Sequence, residues 1–356
     1  MNAHARTDVD DHVLTHVSNH IGYLTLNRPS GLNALTLDMV RSLRRQLDAW
    51  AQDARIKVVV LRGNGPKGFC AGGDIRALHD SFKAGSDLHE QFFVEEYALD
   101  LCIHHYRKPI LAVMDGFTLG GGMGLAQGAD LRLVTERSRL GMPEVGIGYF
   151  PDVGGSYFLS RLPGEIGTYL GVSGTQIQAA DALYCGLANW YMASDRLDSL
   201  QQGLDDLSFG HNPLKDLQGL LARLGTQALE DAPLARLRPV IDHYFSQPDV
   251  ASIAEQLRAV RIGDSQQWAL STADQLDSRS PLAMAVTLEM LRRGRHLSLE
   301  DCFAMELHLD RQWFAHGDIV EGVRALIVDK DKQPRWNPPT LAALPRERVE
   351  QFFEGL

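Results

Sequence analysis

VVVLRGNGPKGFCAGGDIRAL, residues 58–78, carries a strand, a glycine turn and the start of a helix in one short stretch. VVVLRG (58–63) is a continuous apolar run of strand length, the pattern of a strand buried on both faces. Gly72 and Gly73 then leave room beside the backbone, and Ile75 opens a helix. Amides exposed at a helix start attract anions and carbonyl oxygens. A tight strand-to-helix turn that binds nothing accounts for the same letters. The unit recurs downstream. ILAVMDG (110–116) and LRLVTE (131–136) read as buried strands, and GFTLGGGMGLAQGADLRL (116–133) again sets glycines directly after a strand. Three consecutive glycines before a small-residue helix mean close backbone approach.

Upstream, IGYLTLNR (21–28) is a short strand ended by Pro29, and a helix is expected from Thr36, where Met39, Val40, Leu43, Leu47 and Trp50 repeat at helical spacing. Strands separated by amphipathic helices define an α/β core with parallel pairing. The character changes near residue 195, and no comparable strand run follows until ALIVD (325–329). In between lie amphipathic segments such as IAEQLRAV (253–260) and PLAMAVTLEMLRR (281–293). The chain therefore divides into a core, 11–200, and a mainly helical region, 201–356, packing on it. No sustained sequence repeat or low-complexity tract is present.

Composition narrows the function. The 356 residues are 44% hydrophobic and 22% charged, as in an ordinary globular protein, and the net charge is -10 with a pI near 5.7. Such a balance argues against nucleic acid or an anionic membrane as partner. Cys70, Cys102, Cys185 and Cys302 are scattered, with no zinc spacing, and read as reduced core thiols. The start MNAHARTDVDDHV is polar, reads as a frayed end and lacks the pattern of a signal or transit peptide. The expected setting is cytoplasmic.

The chemistry points to residues 141–159, GMPEVGIGYFPDVGGSYFL, where Glu144 and Asp152 sit among apolar residues and glycines. An unpaired carboxylate in such surroundings costs several kcal/mol or shifts its pKa upward. Asp152 also fits a plain turn cap, since Pro-Asp-x-Gly is turn chemistry. A dinucleotide fold is a poor fit, because the run from Gly122, GMGLAQ, lacks the third glycine. G-x-S-x-G, P-loop and H-E-x-x-H signatures are absent, and His104-His105 reads as a surface pair. Two glycine turns and an acid-bearing apolar loop suggest acyl chemistry: two amides from separate turns can converge on a developing oxyanion, with a carboxylate beside them as base or nucleophile.

These segments resemble the crotonase (enoyl-CoA hydratase/isomerase) superfamily. FCAGGDIRAL and FTLGGGMGLA look like its two oxyanion-hole segments. MPEVGIGYFPDVGGSYFLSRL and the C-terminal EGVRALIVDKDKQPRWNP (321–338) look most like its 3-hydroxyisobutyryl-CoA hydrolase branch. The resemblance runs from about residue 12 to 340. It implies a spiral of ββα repeats with a helical C-terminal region that covers the site or builds homo-oligomer contacts. It implies an acyl-CoA thioester substrate, with coenzyme A as part of that substrate and neither metal nor redox cofactor, and a hydrolase acting on a short-chain 3-hydroxyacyl-CoA in valine catabolism. Carried over by position, the amides are those of Gly73 and Gly121, the catalytic acids are Glu144 and Asp152, and Ala34, Ala71, Asp74, Ile75 and Glu96 line the substrate. Glu96, rather than Glu95, follows Phe92 and Phe93 inward on a helix and is the candidate acceptor for the 3-hydroxyl; a salt bridge to a neighbouring arginine is the plainer alternative. Hydratases of this superfamily carry a further glutamate that falls at Gly124, so hydrolysis is expected over hydration. A hydratase or isomerase, or a non-catalytic acyl-CoA binder, remains the alternative on the same fold.

Overall fold

The structure, a computed structural model, describes residues 12–356 apart from 262 and 264. The frayed start expected of the first ten residues lies outside the described residues. Val13–Ser18 (β1) and Ile21–Leu26 (β2) form an antiparallel hairpin through Asn19 and His20, which turn at positive φ of 45° and 62°. Sequence periodicity misses β1 because Leu14 and Val17 face solvent on this edge strand.

Strand β3 (Val58–Gly63) is followed by β4 (Gly68–Cys70), β5 (Ile110–Met114) by β6 (Phe117–Leu119), and β7 (Leu131–Val134) by β8 (Arg139–Gly141), with β9 (Trp190–Tyr191) last. In each pair the first strand enters a six-stranded sheet ordered β1-β2-β3-β5-β7-β9, and the second enters a three-stranded sheet ordered β4-β6-β8. Apart from the hairpin, every pairing is parallel. Helices Ile75–Lys83 and Leu88–His104 follow β4, and helix Gly121–Gln127 follows β6. This is the spiral of ββα units that the resemblance implied. The unit repeats in backbone path while its loops and helices differ in length, so the letters show no repeat.

Strands β2, β3, β5 and β7 of the six-stranded sheet are buried on both faces, as their apolar runs predict. Val59 and Leu61 point into the inner core with Leu24, Leu43 and Leu47. Val58 and Val60 point the other way, onto Leu200, Leu204, Leu217 and Leu221 of helices Leu197–Asp205 and Pro213–Leu224. Each such side chain contributes about 1.5–3 kcal/mol by leaving water. Helix Leu37–Gln52 starts where expected: the Thr36 hydroxyl accepts from the Met39 N–H at 3.3 Å, and Met39, Val40, Leu43, Leu47 and Trp50 are all buried.

The C-terminal region is helical, with Val250–Ala259, Pro281–Gly294 and Leu299–His316 among its helices. The strand-like run ALIVD is a correction: Arg324–Val328 is a π-helical turn. Arg324 pairs with Glu321, Asp329 and Asp331 at 2.7–2.8 Å, and these local bonds favour a coiled segment over an extended one. His104 is a second correction. Only His105 lies at the surface, bonded to Glu300; His104 turns inward, its Nε2 has no partner, and burial pushes its pKa down to about 4. All four cysteines are unpaired. Among the described residues no helix is long and apolar enough to cross a membrane, and no side-chain group is arranged to hold a metal ion.

Candidate active site

The three strands of the small sheet end side by side, and each hands the chain to one piece of the site. After β4 come Gly72 and Gly73, after β6 Gly120 and Gly121, and after β8 the turn that begins at Glu144. Leu35 holds the first turn, donating its N–H to Gly72 and accepting from Asp74, both at 2.8 Å. Gly73 N–H is left free, and so is that of Gly121, which opens its helix with no carbonyl one turn back. A Cβ on Gly121 would lie 3.5 Å from the Gly73 nitrogen, and one on Gly72 would lie 3.5 Å from the Gly121 nitrogen. Two unused donors therefore flank one small space. Gly120 sits at φ 49°, and a Cβ there would meet Glu144 Oε1 at 2.6 Å, so only glycine lets the acid approach this turn.

Glu144 starts a 3-10 turn and is buried, with Oε2 lacking any partner. Burial, and then the Asp152 charge, hold its pKa well above the usual carboxylate range. Asp152 accepts a hydrogen bond from the Tyr97 hydroxyl at 3.0 Å; burial pushes its pKa up to about 7 although that bond works in the opposite direction. The turn after Asp152 is closed by its backbone, Gly155 N–H donating to Asp152 O at 2.7 Å, which leaves the carboxylate facing inward. Glu96 is 2% exposed and its Oε1 has no partner, whereas Glu95 is bonded to Arg41 outside. The arginine expected by the plainer reading thus belongs to Glu95. Burial and then Asp100 push the Glu96 pKa up strongly.

Every residue that the sequence placed at the site lines one cavity of about 330 Å³: Gly73, Gly121, Glu144, Asp152 and Glu96 on its polar side, with Ala34, Ala71, Asp74 and Ile75 around them. Asp74 spends its carboxylate on structure, capping Ala77 N–H and pairing with Arg28 at 2.9 Å. Phe92, Phe93, Ile147 and Tyr149 supply the apolar wall, and Ile327 of the π-helical turn reaches it from the C-terminal region.

Sequence reading missed what holds the acid-bearing loop. One face of helix Leu299–His316 bonds it at three places: Trp313 Nε1 donates to Gly148 O at 2.7 Å, Tyr149 Oη donates to Asp310 at 2.8 Å, and Gly154 N–H donates to Glu306 at 2.7 Å. The positions 306, 310 and 313 repeat at helical spacing among buried Phe303, Met305 and Leu309. Two acids on an apolar stripe were the available signal. Asp100, which helical spacing puts on the same face as Glu96, was not assigned to the site; it is fully buried and neither carboxyl oxygen has a partner. Its Oδ2 lies 2.6 Å from where a Cβ on Gly124 would sit, and Val153 Cβ is equally near. The space beside position 124 is filled, so a second glutamate has no room there.

The model of the enoyl-CoA hydratase/isomerase family matches residues 21–353. The chain belongs to this family. A relative from Danio rerio, named 3-hydroxyisobutyryl-CoA hydrolase, mitochondrial, is 40% identical over 94% of this chain and 87% of its own length. The Homo sapiens protein of that name is 35% identical over 98% and 90%. Among solved structures, one titled a carnitinyl-CoA dehydratase from Mycobacterium thermoresistibile has a TM-score of 0.89 at 37% identity, covering 98% of this chain and 97% of its own. One titled an enoyl-CoA hydratase from Rhodobacter sphaeroides 2.4.1 has a TM-score of 0.87 at 34% identity, covering 97% and 98%. The relatives' names place them in mitochondria, which overturns the cytoplasmic expectation. Unpaired cysteines do not say which compartment holds the protein.

Proposed function

We propose that the protein hydrolyses a short-chain 3-hydroxyacyl-CoA, 3-hydroxyisobutyryl-CoA foremost, to the free hydroxy acid and coenzyme A. One observation carries the reading: two buried carboxyls, Glu144 and Asp152, share a cavity with the two free amides of Gly73 and Gly121. The thioester oxygen takes both amides, which strengthen as it becomes an oxyanion; each such donor is worth about 3–4 kcal/mol. Glu144 supplies the oxygen that attacks the carbonyl carbon, its own or that of a water it deprotonates. The C–S bond breaks, and the departing thiolate takes a proton from Asp152, whose pKa is raised to about 7. If Glu144 attacks with its own oxygen, water then cleaves the acyl–Glu144 anhydride and restores the carboxylate; on either route water provides the product's new oxygen, so no redox partner is called for. Glu96, with its free Oε1, accepts the substrate's 3-hydroxyl.

The dehydratase and hydratase titles of the two solved structures favour a second reading, addition of water to an enoyl thioester. The crowding around Gly124 counts against it, because the second water-holding acid of that chemistry has no place. The test is thiol release from 3-hydroxyisobutyryl-CoA and from isobutyryl-CoA. The hydroxylated substrate is expected to be strongly preferred, and Glu96→Ala to narrow the gap in kcat/KM, since a site built for a hydroxyl leaves a buried polar group unpaired without it. Wild-type protein that releases no thiol from either compound removes the hydrolase reading, and equal losses on both substrates in Glu96→Ala remove the role of Glu96.

A further inference from the structure

We propose that Glu306, in the C-terminal helix Leu299–His316, is a positioning residue for the reaction: its carboxylate fixes the Asp152–Ser156 turn so that the Asp152 side chain faces the cavity. Glu306 touches neither substrate nor cavity, and this role rests on the hydrolytic reading above.

Three donors converge on this one carboxylate. Gly154 N–H bonds Oε2 at 2.7 Å, Ser156 N–H bonds Oε1 at 2.8 Å, and the Ser156 hydroxyl bonds the same oxygen. All of these atoms are buried, and Glu306 has no exposed surface. Gly154 O accepts from Tyr157 and Phe158 N–H, which ties the turn to the helix that follows, and Glu306 ties it from outside. Val153 is held at φ 51° and Gly154 at φ 84°, a left-handed pair that a side chain such as valine disfavours. One backbone bond closes the turn, from Gly155 N–H to Asp152 O. A buried carboxylate with three donors is therefore what holds an unfavourable backbone in place, two residues from Asp152.

The placement has an electrostatic consequence. Burial pushes the Glu306 pKa up to about 8, and the Asp152 charge adds to the rise. Asp152, at about 7, ionises first, so its charge raises Glu306, which is still largely protonated while Asp152 titrates. The other groups facing Asp152 are Glu96, Tyr97 and Asp100 from helix Leu88–His104, Glu144 and Tyr149 from its own loop and Asp310 from the same helix as Glu306. No cation is among the influences on Asp152. Glu306 thus sets where Asp152 lies, within a cluster of acids whose titrations are linked.

Glu306→Gln keeps the shape, removes the charge and turns an NH2 group toward one of the donors. It is expected to lower kcat by roughly 10–10²-fold, as misplacement of a reacting group does, with KM within about twofold of wild type because the cavity wall is intact. Added to Asp152→Asn, Glu306→Gln is expected to cost little further kcat, because its effect acts through Asp152; a merely structural role would add its full cost. Ser156→Ala keeps Glu306 and loses one donor. It should lower kcat by about 3–10-fold, again with little further cost in Asp152→Asn, and it carries the test if Glu306→Gln fails to fold. Variants with wild-type kcat, losses in KM alone, or losses that add in full to that of Asp152→Asn overturn the proposal. A wild-type enzyme that releases no thiol but hydrates an enoyl thioester overturns the hydrolytic reading instead, and the same comparison is then read on hydration.

Discussion

At the scale of single residues, the site is a set of demands on residue type. Gly120 must be glycine because Glu144 Oε1 occupies the place of its Cβ, and Gly121 because Glu96 Oε1 lies 2.3 Å from where its Cβ would be. Gly121→Ala should therefore push Glu96 aside and narrow the oxyanion space, with a kcat loss of about 10²-fold or more, the scale of losing one such donor; turnover within tenfold of wild type would show that the space beside Gly121 is not needed. Glu144→Gln and Asp152→Asn should each lower kcat by about 10²-fold or more while substrate still binds, and near-normal turnover in Glu144→Gln would remove it from the chemistry. Gly124→Glu should not convert the enzyme to a hydratase: with Asp100 and Val153 both 2.6 Å from the Cβ position, the result is a protein destabilised by several kcal/mol. These positions were legible because backbone approach and buried acids leave few letters to choose from. Asp100 could be placed on the face of Glu96 by helical spacing, but its part in filling the space at Gly124 was not legible, since that depends on neighbours from other elements.

At the scale of elements, the decisive arrangement is the short parallel sheet β4-β6-β8, whose three C-terminal ends carry the two amide turns and Glu144. Its strands span only three residues each, too short for alternation to be read, and in the sequence they hide inside the glycine motifs. The long strands were legible because two-sided burial makes them uniformly apolar. The π-helical turn at Arg324–Val328 was not, because ion pairs made across a few residues overrode an apolar run. The C-terminal helices take part in the site itself: Glu306, Asp310 and Trp313 hold the loop bearing Asp152, and Ile327 lines the cavity. A fragment ending at residue 200 should therefore be insoluble or inactive, since it also uncovers the face of Val58 and Val60. A soluble and fully active 1–200 fragment would show that these helices are dispensable.

At the scale of the whole molecule, the buried acids leave a signature in stability. Burial raises Asp152 to about 7, and Glu306 and Asp310 to about 8, from ordinary values near 4. Between about pH 4 and 8 the native protein thus holds protons that the unfolded chain has released, so stability falls as pH rises through this window. His104 acts with the opposite sign, but only below its ordinary value of 6.5, as unfolding lets it charge. Tm should accordingly decrease between pH 6.5 and 8, and Asp310→Asn, in which Tyr149 keeps an acceptor, should flatten that decrease; a Tm that rises over the interval would mean that these acids are ionised in the fold. A family fold shared with hydratases has become a hydrolase by placing Asp152 at the cavity and closing the space at Gly124. This is tested most directly by measuring, on one preparation, release of coenzyme A from 3-hydroxyisobutyryl-CoA and hydration of the matching enoyl thioester. Thiol release should be much the faster reaction, and hydration proceeding faster under the same conditions would contradict the account.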